Sequence, residues 1–242
     1  MYGWRARLGV LVPSGNIVLE PEFNSVILEG VACYYHRFNF NSGGSDTDLM
    51  QKLEKAADYI ADASELIVQV KPAVVAMTGT AVSFIGGYGY DQSLIKKMRE
   101  RNGNLPTTTT STSVIDALNC LGIKKVSMAM PYVEEVSRAA VKFVEESGLQ
   151  VPKAKWLNKI GFDIPQIPKE TIYQLAREVD DPECEAIFIS CVSLHTFEII
   201  EELERDLGKP VITSNQATIW NMLRLSGVKD KIKGYGQLLS DY

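Results

Sequence analysis

Residues 186–197, AIFISCVSLHTF, decide how the rest of the chain is read. AIFI is an apolar run of strand length, it closes on Ser190 and Cys191, and the run after Cys191 reads as the start of a helix. Residues 73–84, AVVAMTGTAVSF, repeat the order of strand, polar turn and a Ser/Thr–Phe pair. Depending on a one-residue choice of register, Gly79 or Thr78 then stands where Cys191 stands. A second echo joins TSTSVIDALNCLGIKK (110–125) to SNQATIWNMLRLSGVKD (214–230). Each has a Ser/Thr-rich start, an apolar helix and a Gly-Ile/Val-Lys ending. A repeat distance of roughly 105 to 113 residues is too long for a solenoid and fits a duplicated α/β unit.

Working outward, further buried-strand runs lie at 7–13, 31–38, 73–79, 106–110, 125–131, 151–157, 186–191 and 210–214. Amphipathic stretches separate them, the longest being DTDLMQKLEKAADYIADASELIVQVK with Asp46 or Thr47 as its cap. Near-continuous apolar strands alternating with helices predict parallel sheets covered on both faces. The expected fold is α/β, with two pseudo-symmetric lobes, each a four-stranded parallel sheet flanked by helices. The first lobe is assigned residues 1–112 plus 218–242, with a returning C-terminal helix, and the second residues 113–217.

The 242 residues, 45% hydrophobic and 23% charged, suffice for a substantial core. A net charge of −5 carries no nucleic-acid footprint. No apolar run reaches the ~18–20 residues of a membrane helix, and the run after MYGWRAR is too short for a signal-peptide core. The four cysteines show no CxxC spacing, and His36 and His195 are the two histidines. No metal site is expected, and the expected protein is reduced, cytoplasmic, and a monomer or homodimer.

Ligands of open α/β sheets sit at the carboxyl ends of the strands. Those ends deliver Pro13, Ser14 and Asn16; Gly79, Thr80 and Ala81; Pro131 and Tyr132; Cys191, Val192 and Ser193; and Ser214 and Asn215. This lining of hydroxyls, amides and backbone N–H groups, with one thiol and almost no charge, suits a small carboxylate or an enolate oxygen. Each has a plainer reading: a lone cysteine is commonly core filler, Tyr132 a helix-start aromatic, and Asn16 a turn or cap residue. His195 acidifies the thiol if a helix starts at once, and otherwise belongs to the surface. Cys33 and Cys120 read as filler and Cys184 as an inert turn residue. GGYGYD (86–91) lacks the GxGxxG pattern and reads as a flexible loop.

AVVAMTGTAVSF, AMPYVEEV, FISCVSL and GYGQLL, with the opening GVLVPSGNIVLEPEF, together resemble the aspartate/glutamate racemase superfamily across essentially the whole chain. Within it they are most similar to the arylmalonate decarboxylase and maleate cis–trans isomerase branch. The resemblance implies two lobes with the active site between them and no cofactor. Racemases and maleate isomerases of this kind use two cysteines, one per lobe. Here Cys191 matches the second, while the first-lobe position holds Gly79, as in arylmalonate decarboxylases. Thr80 then matches an oxyanion-hole hydroxyl and Tyr132 the tyrosine that binds the substrate carboxylate. Ala81 replaces an expected serine and keeps its backbone N–H, as Val192 does. The function implied is decarboxylation of an α-substituted (aryl)malonate through an enediolate protonated by Cys191. The alternative is a maleate-isomerase-like or racemase reaction on a small dicarboxylate.

Overall fold

The computed structural model describes residues 1–40 and 49–242; the Asp46/Thr47 cap lies outside them. Eight strands form two four-stranded sheets, every pairing parallel. The first contains β1 (Ala6–Pro13), β2 (Val31–Phe38), β3 (Val74–Met77) and β4 (Thr107–Thr109), in the order β2-β1-β3-β4. The second contains β5 (Val126–Met130), β6 (Ala154–Trp156), β7 (Ala186–Ile189) and β8 (Val211–Thr213), in the order β6-β5-β7-β8. These are the expected eight strands in the expected two-sheet architecture. Their runs are apolar without alternation because β1, β3, β5 and β7 are covered on both faces.

Ten α-helices complete the described residues: α1 (Leu19–Ser25), α2 (Leu49–Ile67), α3 (Thr80–Phe84), α4 (Tyr90–Arg101), α5 (Thr110–Cys120), α6 (Glu134–Glu146), α7 (Lys169–Glu178), α8 (Ile200–Leu207), α9 (Ser214–Leu225) and α10 (Gln237–Asp241). None of them is long and apolar enough to cross a membrane. The two echoes at 110–125 and 214–230 become α5 and α9. Thr109 and Thr213 cap them identically, each side chain accepting the amide three residues on (Thr112 and Gln216).

The duplicated halves are fused rather than merely adjacent. α5 packs on α9, and Phe84 of α3 lies 6.1 Å from the ring of Tyr132 and 6.4 Å from Phe143 of α6. One buried apolar cluster therefore runs through both sheets. A second fills the far side of the first sheet, where Leu11 and Met77 meet α2 and α4. Polar bonds cross the same seam. Asn221 donates to Thr108 Oγ1 (3.3 Å), Ser113 Oγ (3.2 Å) and Asp116 Oδ2 (3.0 Å), and Thr218 donates to Thr110 Oγ1 at 3.3 Å.

Two departures from the sequence reading have local causes. No helix follows Cys191: residues 191–199 form turns, and α8 begins at Ile200. A helix there would need its N–H groups for its own carbonyls. Instead Thr196 N and Phe197 N, which lie beyond the first turn of such a helix, donate to Glu22 Oε1 (2.6 and 2.9 Å). Within GGYGYD, Tyr90 and Asp91 are not loop but the first turn of α4. Asp91 is buried and accepts the Thr112 hydroxyl at 2.6 Å.

Glu22 links α1 to the second half from a buried position. Burial pushes its carboxyl from 4.5 up to about 7, against the opposing pull of the Phe197 N–H, Asn215 and Thr196. A folded value above the unfolded one means that the folded state holds the proton more tightly. The resulting stabilisation is complete below pH 4.5 and lost as the pH rises through about 7. A shift of this size corresponds to roughly 3 kcal/mol. Denaturant unfolding is expected to show the wild type losing about that much relative to Glu22→Gln between about pH 4.5 and 8. Parallel stability–pH curves for the two proteins would refute it.

Candidate active site

Each sheet runs outward from its first strand to one side and then the other, so the crevice between β1 and β3, or between β5 and β7, is a ligand-binding switch point. The first crevice presents Pro13 and Gly79; the second presents Pro131 and Cys191. The pairings fix the correspondence: Leu11 pairs with Met77, and Ala129 with Ile189. Thr78 N donates to Leu11 O (2.8 Å) as Ser190 N donates to Ala129 O (2.9 Å). Gly79 therefore corresponds to Cys191, and the slipped register through Thr78 is excluded.

Backbone conformation agrees. Gly79 has φ 127° and Cys191 has φ 125°. The Gly79 amide donates to Thr110 Oγ1 at 3.2 Å, and the Cys191 amide to Ser214 Oγ at 3.0 Å. Glycine takes such a φ without steric cost; cysteine does not, and strain of this kind concentrates at functional sites. The neighbouring residues explain how it is held. Ser214 fixes the amide, while Asn16 and Asn215 both donate to Val192 O, at 3.0 and 3.2 Å.

The thiol is nearly enclosed. Its sulfur accepts the Ser193 N–H at 3.4 Å and lies in hydrogen-bond contact with Tyr132. Burial raises its pKa above the ordinary thiol value, and those two contacts only partly oppose the shift. At neutral pH Cys191 is thus a protonated thiol. Tyr132 is also buried, its hydroxyl 3.3 Å from Ser190 Oγ and in contact with Thr80. Burial first, then the adjacent Cys191, pushes it well above the usual phenol range, so it too keeps its proton. Thr80 Oγ1 lies 2.8 Å from Ser214 Oγ. Hydroxyl protons rotate, so Ser214 can take over as donor and free the Thr80 proton for another acceptor.

Thr80, Tyr132, Cys191 and Val192 are thus brought together, with Ala81 in the first turn of α3 beside them. Pro13 closes the first-lobe side: a Cβ on Gly79 would lie 3.3 Å from its Cγ and 3.1 Å from Val82 Cγ2. Asn16 has its whole amide engaged. Its Oδ1 caps α1 through the amides of Val18 and Leu19 (both 2.9 Å), and its Nδ2 reaches Val192 O and Ser193 Oγ (both 3.0 Å). Ser14 is exposed, and its carbonyl is held by Arg37 at 2.9 Å. His195 is also exposed, with Nε2 3.2 Å from Pro165 O, on the surface rather than beside the thiol. Cys120 ends α5 exposed rather than as core filler, whereas Cys184 is buried in its turn.

Ser190 and Ser214 belong to the strand-end lining without an assigned role in the sequence, and Glu22 is not among the residues the sequence singles out. Ser190 and Ser214 flank the strand ends that define the site, so topology supplies the signal. Glu22 sits two turns past the PSGN opening and has no local signal.

The arylmalonate decarboxylase family model matches residues 11–239. The arylmalonate decarboxylase of Bordetella bronchiseptica is 29% identical over 95% of this chain and 97% of its own. The maleate isomerase of Pseudomonas putida is 25% identical over 97% of each. Among solved structures, a liganded arylmalonate decarboxylase carrying a glycine-to-cysteine and a cysteine-to-serine substitution superposes with a TM-score of 0.88. It is 26% identical, with 98% of this chain and all of that one covered. A maleate cis–trans isomerase from Nocardia farcinica with a covalent succinylcysteine intermediate shares the fold, at a TM-score of 0.89 and 20% identity, covering 98% of this chain and 99% of that one. With two fused parallel-sheet halves and a match over nearly its whole length, the chain belongs to the arylmalonate decarboxylase family.

Proposed function

We propose that the protein is a cofactor-independent decarboxylase of α-substituted malonates, aryl-substituted ones in particular, with Cys191 as the proton donor. The observation that carries this reading is the pairing of Gly79 with Cys191: the site has one thiol where two-base enzymes need two, and that thiol is protonated.

The chemistry requires little else. As the bond between the α-carbon and the departing carboxylate breaks, its electron pair passes into the remaining carboxylate, giving an enediolate and neutral CO₂. The enediolate oxygens need donors, and the hydroxyls of Thr80 and Tyr132 with the amides of Ala81 and Val192 supply them. One such donor is typically worth about 2.7–4 kcal/mol to a transition state. Tyr132 and Cys191 suit this role because burial holds both in their proton-bearing forms. The Cys191 S–H then gives its proton to the α-carbon on one face, and the thiolate recovers a proton from solvent. Asn16, in a PSGN opening that resembles the start of maleate isomerases, favours a second reading, isomerisation of a small unsaturated dicarboxylate. That reaction in relatives calls on a first-lobe cysteine, and Gly79 does not supply one.

Phenylmalonate, maleate and glutamate offered without added cofactor separate these readings: CO₂ release from phenylmalonate alone is expected, and fumarate formation from maleate would overturn the proposal. Cys191→Ala is expected to lose about 10²–10⁴-fold in turnover while its unfolding free energy changes by less than about 2 kcal/mol. A variant with near-normal turnover would remove Cys191 from the reaction.

From 2-methyl-2-phenylmalonate in D₂O, 2-phenylpropanoate is expected as one enantiomer with a single α-deuterium. Continued exchange in the isolated product would reveal a second base.

Gly79→Cys is expected to add slow racemisation of the decarboxylated acid by placing a second thiol opposite the first. Its φ of 127° is the one Cys191 already tolerates, and strain of about 1–3 kcal/mol is expected from unfolding measurements. A folded variant that leaves the optical rotation of the product unchanged would sink the two-faced site.

A further inference from the structure

The segment from Cys191 to Phe197 carries the thiol and the Val192 amide, yet it has no helix or strand to hold it. Its polar groups are held from outside, largely by the first half of the chain. Glu22 Oε1 accepts Thr196 N at 2.6 Å and Phe197 N at 2.9 Å, while Oε2 accepts Asn215 Nδ2 at 2.5 Å. The same Asn215 amide reaches Val192 O at 3.2 Å. An unbroken chain of bonds therefore leads from the Glu22 carboxylate to the residue after the thiol.

Oε1 thus accepts both backbone amides and, at 3.4 Å, the Thr196 hydroxyl, and Oε2 accepts Asn215, so the side chain acts here through its two oxygens as acceptors. No lysine, arginine or histidine forms an ion pair with Glu22 among the described residues. A buried carboxylate without a cation is a costly way to hold a fold together. Its position against the thiol-bearing segment gives it another use. We infer that Glu22 is a positioning residue for the reaction: by gripping Thr196, Phe197 and Asn215 across the lobe interface it aims the Cys191 thiol and the Val192 amide at one point. The inference rests on the decarboxylase reading for its effect on turnover, but not for its effect on the thiol.

The test reads both. Iodoacetamide labelling at Cys191, followed by peptide mass spectrometry, reports how well the segment shields the thiol whatever the substrate. Glu22→Ala is expected to speed Cys191 labelling by about tenfold, with Cys184 unchanged. On 2-methyl-2-phenylmalonate, whose decarboxylated product has a stereocentre, kcat is expected to fall by about 10²-fold, the scale of an ångström-sized misplacement, with KM within about threefold and lower enantiomeric excess as water competes for protonation. Glu22→Gln should restore most of both properties. It keeps one oxygen for Thr196 and Phe197, and its amide can donate to Asn215 Oδ1, which has no partner among the described residues. Folded Glu22→Ala with wild-type labelling at Cys191 would overturn the inference. Should that variant fail to fold, Asn215→Ala cuts the link from Glu22 to Val192; faster labelling supports the inference and an unchanged rate overturns it. A wild type that does not turn over phenylmalonate would refute the decarboxylase reading, and the labelling result would still decide the role of Glu22.

Discussion

The structure depends on a backbone turn at the end of β7 that an L-amino acid resists. Cys191 sits at φ 125°, outside the conformations open to most side chains, and its own segment offers only two long bonds, Ser193 N to its Sγ and Leu194 N to its carbonyl, both 3.4 Å. The compensation is tertiary: Ser214 takes its amide, Asn16 and Asn215 take the next carbonyl, and Glu22 takes the amides of Thr196 and Phe197. Three of these four partners lie at the start of α1 or α9, so the orientation of those elements and the geometry of the thiol are one problem. The turn also brings the thiol into hydrogen-bond contact with Tyr132, which in turn touches Thr80.

Duplication explains why this arrangement exists in both halves and why it is used in only one. Gly79 and Cys191 adopt the same φ, and Thr110 and Ser214 receive their amides in the same way. From that point the halves diverge. The first turns directly into α3, whose opening amides lack helical acceptors. The second runs through irregular turns held from the other half. On the proposed reading one half would supply donors along a helix end and the other a proton, which is the division of labour that a one-sided protonation needs.

Much of this was legible in the sequence. The eight expected runs became eight strands, β1, β3, β5 and β7 buried on both faces and the edge strands β2 and β6 only partly buried, and the Ser/Thr-rich openings of α5 and α9 carried real caps at Thr109 and Thr213. The register between the halves was not legible, since AVVAMTG and AIFISC align equally well with either Gly79 or Thr78 opposite Cys191; strand pairing and a shared φ decide it. The helix expected after Cys191 failed for a related reason. SLHTF has the residues to begin one, and its amides go instead to a carboxylate about 170 positions away in sequence. Local propensity is a weak prior against such long-range partners, and the same distance hid Glu22.

The charge pattern completes the logic. Among the described residues no lysine or arginine bonds to Thr80, Tyr132, Cys191 or Val192; the guanidinium of Arg37 stops at the carbonyls of Ser14 and Asn16 and at Glu20. A fixed cation beside the thiol would lower its pKa and favour the thiolate, which suits a nucleophile or a base. It would also hold a carboxylate in its charged form, when the reaction proposed needs one carboxylate to leave as neutral CO₂. Neutral donors in a buried site favour neither loss: they bind an oxyanion by hydrogen bonds while burial keeps Cys191 and Tyr132 protonated. The carboxylate of Glu22, held one layer behind the thiol, therefore serves the same end as the missing cation, since it orders the segment without placing a positive charge beside Cys191.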